Sequence, residues 1–167
     1  MNHLQRLSII SCPEFNGGQY TKQPRGLGLA RMSAMMTYKN SKFCEKFDRD
    51  LMQCRKSLYV DGRVYPMQSY LEYQAVKFMD RFDANCYLHI LGKIDRFEMK
   101  LEDIGRVTVV GVSSDVLYPA DELAKFCSEI NAPYFEIASD AGHDGFLVER
   151  EQVNEIISTF LSKNIQL

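Results

Sequence analysis

The stretch VTVVGVSSD, Val107 to Asp115, is a β-branched run relieved only by Gly111, and it ends in two hydroxyls and a carboxylate. No charge interrupts Val107–Val112, so it reads as a strand buried on both faces, the habit of parallel sheets. Pro119 then opens a helix, with Asp121 and Glu122 in the first turn, where the helix dipole favours negative charge. Leu123, Cys127 and Ile130 give that helix an inward stripe, and Asn131 ends it. The segment PYFEIA, from Pro133, is a second strand, and a last helix follows whose apolar positions are Val153, Ile156, Ile157, Phe160 and Leu161. Strand, helix, strand, helix with short connections predicts a right-handed parallel crossover.

Upstream, as far as about Phe97, the pattern is helical. Leu27, Ala30, Ala34 and Met35 share one helical face. The mixed charges of Lys39 to Arg63 read as a solvated helix face, with Asp61-Gly62 as a turn. Pro66 suits a helix start, and Leu71, Ala75, Phe78, Met79 and Phe82 form a stripe that Cys86, Leu91 and Ile94 continue after a break near Asp83. Pro13 and Gly17-Gly18 mark a turn; a glycine pair that cradles phosphate needs a strand before it and a helix after it, and neither is evident. The chain thus divides into a helical segment, 1–98, and a β-α-β-α segment, 99–167.

Bulk properties narrow the function. A chain of 167 residues, 46% apolar, can bury a core. A net charge of −2 offers no basic face for nucleic acid, and no apolar run is long enough to span a membrane. Five scattered cysteines without a Cys-x-x-Cys read as reduced thiols of a cytoplasmic protein. His3, His89 and His143 lack metal-ligand spacing, so no metal is expected.

In open parallel sheets, ligands gather beyond the carboxyl ends of the strands. Asp115 leaves the end of the first strand, and His143 and Asp144, within SDAGHDGFLVE, leave the second. Neighbouring strands would bring Asp115 and His143 to one edge, where a carboxylate can fix an imidazole's tautomer and support its protonated form. Gly142 and Gly145 would let the loop approach closely. The bland alternatives are a surface or capping histidine and an aspartate that merely starts a turn. A triad also needs a nucleophile, and the sequence holds no Gly-x-Ser-x-Gly; Ser113 and Ser114 belong to the acid's own loop.

Five ordered motifs then carry a resemblance. FNGGQY, RGLGLARMSAMMTY, SYLEYQAVKFMDRFDANCYLHI, SSDVLYP and GHDGFL resemble segments of the homoserine O-acetyltransferase family, of the α/β-hydrolase superfamily, across roughly Gln5 to Leu161. The implied fold is α/β: the C-terminal part of an α/β-hydrolase, a helical lid followed by two parallel strands with helices, in an incomplete sheet. The implied reaction moves acetyl from acetyl-CoA, a co-substrate with no bound cofactor, through an acyl-serine to the hydroxyl of L-homoserine, for methionine synthesis. His143 matches the family's base, Asp115 its orienting acid, Arg31 its carboxylate-binding arginine, Tyr38 a tyrosine near that carboxylate, and Asp144 the aspartate that receives the ammonium group. Met35 stands where many relatives have histidine, and Gly145 where alanine is common.

The resemblance also implies that the nucleophile half is missing. The expectation is a truncated or split product, inactive alone and marginally stable, served by a complementing N-terminal half or a homodimer through the lid helices. A related serine or homoserine acyltransferase, with succinyl as donor or a deacetylcephalosporin-type acceptor, is one alternative. A non-catalytic remnant that binds a full-length relative is another.

Overall fold

The computed structural model describes residues 1–45, 47, 53–56, 59, 61–98, 100 and 107–164. They sort into two compact units: residues 1–36 with 47–98, and residues 37–46 with 99–167.

The first unit is mainly helical. Helix α1, Asn2–Ile10, is followed by a turn at Pro13–Gly18 in which Asn16, Gly17 and Gly18 take positive φ, so the glycine pair makes a turn. Helix α2, Arg25–Tyr38, whose last two residues fall in the second unit, buries Leu27, Ala30, Ala34 and Met35, the face that its spacing predicts. Helix α4, Pro66–Met79, starts on its proline. Asp83 caps helix α5, Ala84–Asp95, by accepting the Cys86 N–H at 2.8 Å. The same carboxylate accepts from Tyr20 Oη at 2.7 Å and Gln23 Nε2 at 3.1 Å, which ties the segment after the turn to the helix start. Ile9, Phe15, Leu27, Ala30, Phe78 and Ala84 form the core. Burial of each large side chain there contributes about 1.5–3 kcal/mol.

Two expectations are corrected in this unit. The cap at Asp83 resets the helical phase, so α5 buries Ala84 and Leu91, while Cys86 and Ile94 are exposed. Within the charged region, short helix α3, Ser41–Glu45, belongs to the second unit, and Gln53–Lys56 (β1) and Asp61–Val64 (β2) pair as antiparallel strands. Asp61 and Gly62 therefore lie within a strand. A short polar hairpin lacks the apolar alternation by which strands are read. Residues 46, 48–52, 57–58 and 60 of that predicted helix lie outside the described residues.

The second unit holds the parallel pair. Strand β3, Val109–Val112, runs alongside β4, Tyr134–Ile137, in the register Val109↔Tyr134 to Val112↔Ile137. Helix α6, Ala120–Glu129, connects them and buries Cys127; Asn131, at φ 52°, follows its end. Short helix α7, Gly145–Val148, and α8, Arg150–Asn164, follow β4.

Burial here is less complete than the apolar runs predict. Val110 is 40% exposed, and Ile157 and Leu161 are 49% and 44% exposed. Among the described residues β3 has only β4 as a strand partner, so its other edge makes no strand pairing there. A cavity of about 470 Å³ lies along this strand, lined by its four residues and by side chains that include Leu123, Ile156 and Ile157.

Candidate active site

Both strands of the parallel pair deliver a polar loop at their carboxyl ends. Val112 accepts the Asp115 N–H at 3.0 Å, a tight turn that brings the carboxylate back over the strand end. Asp115 is 9% exposed, and each of its oxygens is engaged. Oδ1 accepts the backbone N–H groups of Leu117, at 2.8 Å, and Tyr118, at 3.1 Å. Oδ2 lies 2.8 Å from His143 Nδ1. Asp115 therefore both starts a turn and contacts the histidine.

An ionised carboxylate can only accept, so Nδ1 carries the hydrogen and the neutral ring's lone pair sits on Nε2. Among the described residues Nε2 has no hydrogen-bond partner, and the imidazole side chain is 29% exposed. A ring held in this way can take a proton at Nε2 and pass it on, with the developing charge supported by Asp115. Rings surround it: the centroid of Tyr38 is 5.4 Å away, that of Tyr118 5.6 Å and that of Phe146 6.2 Å.

The loop carrying His143 can take this path because of its glycines. Gly142 has φ +69°, and a Cβ there would lie 2.5 Å from the Tyr38 carbonyl oxygen. Gly145 has an ordinary φ, but its Cβ would lie 2.5 Å from Val112 Cγ1, a close approach that accounts for the missing methyl. The segment 37–42 braces the loop from another side: Asn40 Nδ2 donates to the Asp140 carbonyl at 2.9 Å, and Lys42 pairs with the Asp140 carboxylate at 2.7 Å.

The other predicted residues divide. Tyr38 and Asp144 belong to the same unit as His143. Asp144 already carries a cation, because Lys39 Nζ forms an ion pair with it. Sequence reading missed that partner, and only the basic character of Lys39, next to Tyr38, hinted at it. Arg31 lies in the first unit, where its guanidinium sits 5.0 Å from the Phe78 ring centroid. Cys12, Cys44, Cys86 and Cys127 are free thiols. Among the described residues no helix is long and apolar enough to cross a membrane, and no three His, Cys, Asp or Glu side chains gather as a metal site.

No family profile matches the chain. Individual proteins do. The homoserine O-acetyltransferase of Methanosphaera stadtmanae is 36% identical over 97% of this chain, which spans 37% of that protein. That of Haemophilus influenzae is 35% identical over 98% of the chain, which spans 50% of it. The crystal structure of homoserine O-acetyltransferase from Bacillus anthracis matches with a TM-score of 0.76 at 17% identity, covering 96% of this chain and 48% of that one. That likeness establishes the fold, a partial α/β-hydrolase sheet with its helices. The chain thus resembles homoserine O-acetyltransferases along nearly all of its own length and spans half or less of the relatives it matches.

Proposed function

We propose that this chain is the C-terminal part of a homoserine O-acetyltransferase and supplies the acid and base of its Ser-Asp-His centre. The observation that carries this reading is the 2.8 Å contact between His143 Nδ1 and a buried Asp115, each at the end of a neighbouring parallel strand. The similarity to proteins named for that activity supports it.

In the proposed reaction His143 Nε2 removes the proton from a serine hydroxyl as that oxygen attacks the thioester carbonyl of acetyl-CoA. The C–S bond breaks, the thiolate leaves as CoA with the proton from His143, and an acetyl-serine remains. His143 then takes the proton of the homoserine hydroxyl, whose oxygen attacks the acetyl group, and returns it to the serine as the product, O-acetyl-L-homoserine, leaves. Asp115 orients the ring and supports its charge in both halves. The product is a step in methionine synthesis, and the proposed compartment is the cytoplasm. On the resemblance, Arg31 and Tyr38 are proposed to serve the homoserine carboxylate, and Asp144 to receive the ammonium group in place of Lys39.

The 167 residues hold no Gly-x-Ser-x-Gly, so the serine comes from outside them, and the chain alone transfers no acetyl group. A complementing segment that adds strands beside β3 would supply it. The test follows CoA release from acetyl-CoA and L-homoserine, by the chain alone and by the chain mixed with the serine-bearing segment of a relative. Release only in the mixture supports the proposal. Turnover by the lone chain contradicts it, and its survival in both Ser113→Ala and Ser114→Ala would show that neither of those serines is the nucleophile.

A further inference from the structure

Three successive residues of the acid-bearing loop each hold a different residue of the histidine-bearing loop. Ser113 Oγ donates to the Ser139 carbonyl at 3.2 Å and accepts the Ser139 N–H at 3.1 Å. Ser114 Oγ accepts the Gly142 N–H at 3.0 Å. Asp115 Oδ2 then meets His143 Nδ1. The order 113, 114, 115 on one loop is matched by 139, 142, 143 on the other.

The last ladder bond of the sheet runs from the Ser113 N–H to the Ile137 carbonyl at 3.0 Å. The Ser113 hydroxyl extends that ladder by one residue, past the end of β4, serving both backbone groups of Ser139 at once. Ser139 passes the constraint on, since its own Oγ accepts the Ala141 N–H at 3.1 Å and donates to Glu149 at 2.9 Å. Gly142, whose positive φ re-aims the chain immediately before His143, is then fixed by Ser114. Without these hydroxyls the backbone groups of residues 139 and 142 lose their partners at the point where the imidazole's direction is set.

We infer that Ser113 and Ser114 are positioning residues for His143, holding the two loops in the register that keeps Nδ1 on Asp115. The inference rests on the Asp115–His143 pair of the proposed function. Neither serine touches the imidazole; both act through backbone.

The test uses the full chain with nitrogen-labelled histidine and follows the far-downfield proton that marks an imidazole N–H held on a carboxylate. Asp115→Asn identifies that resonance by removing it. Ser113→Thr keeps the hydroxyl, and Ser113→Val has the same shape without it. The expected result is exchange of the Nδ1 proton with water about five- to tenfold faster in Ser114→Ala, the size of one lost hydrogen bond, at least as much faster in Ser113→Val, which loses two, and a wild-type rate in Ser113→Thr. Should Ser113→Val fail to fold, Ser114→Ala against Ser114→Thr makes the same comparison. Wild-type exchange in the hydroxyl-free variants, with the resonance still lost in Asp115→Asn, overturns the positioning role and leaves the pair standing. A wild-type spectrum that lacks the resonance and matches Asp115→Asn overturns the pair itself.

Discussion

Asp115 gives one carboxylate oxygen to the backbone of Leu117 and Tyr118 and the other to the Nδ1 of His143. The division matters because the two jobs can be separated by substitution.

Asp115→Asn retains an oxygen for the two N–H groups, and its amide can meet Nδ1 only as a donor, which moves the imidazole hydrogen to Nε2. In the reconstituted acetyl-transfer reaction it is expected to fold normally and to lose about four orders of magnitude in rate, the size of a wrong-tautomer defect. Asp115→Ala should in addition lower stability by about 1–3 kcal/mol, as buried N–H groups lose their acceptor. Urea unfolding of the two variants separates the effects; equal stability loss in both would contradict the division.

Asp83 holds the start of α5, and its carboxyl is kept below the usual carboxylate range, first by the Cys86 N–H and then by Tyr20 and Gln23. A depressed carboxylate contributes stability that is present above its unfolded pKa of about 3.9 and is lost as pH falls through the lower folded value. Wild-type stability should therefore fall more steeply than that of Asp83→Asn as the pH drops below about 4, as urea midpoints would record. At neutral pH Asp83→Ala should cost about 1–2 kcal/mol, the worth of a helix N-cap.

Gly142→Ala meets both a positive φ and the Tyr38 carbonyl. The left-handed backbone alone costs about 1–2 kcal/mol for a residue with a Cβ, and the close contact forces the loop aside. Loss of the downfield His143 proton in a variant that otherwise folds is the expected result. An unchanged spectrum would mean that the loop accommodates the methyl.

The edge of β3 that has no strand partner among the described residues predicts self-association of the isolated chain, since unpaired strand edges invite pairing. Val110, 40% exposed, is the position to alter. Val110→Lys should reduce light scattering, and the wild-type chain should melt broadly at low temperature. A cooperative, high-temperature melt of a wild-type monomer would contradict this.

Much of the second unit was legible from residues alone. The uncharged β-branched run Val107–Val112 pointed to one parallel strand and the segment PYFEIA to the other, and the polar loops after them placed Asp115 and His143 at one edge. What escaped has physical causes. The hairpin of β1 and β2 is too short and polar to show alternation. The exposure of Val110 and Ile157 depends on what lies beside a strand, which apolar character alone does not report. The Lys39–Asp144 pair and the serine contacts depend on backbone turns that bring distant polar groups together, and residue spacing carries no sign of them.

The most direct measurement is CoA release from acetyl-CoA and L-homoserine by the chain combined with a relative's serine-bearing segment, with and without His143→Ala. Release is expected in the wild-type mixture, none from the chain alone, and a fall of at least about a thousandfold in His143→Ala, the size of the loss for a residue proposed as both base and acid. Release that is indifferent to His143, or that proceeds without the added segment, would contradict the proposed function.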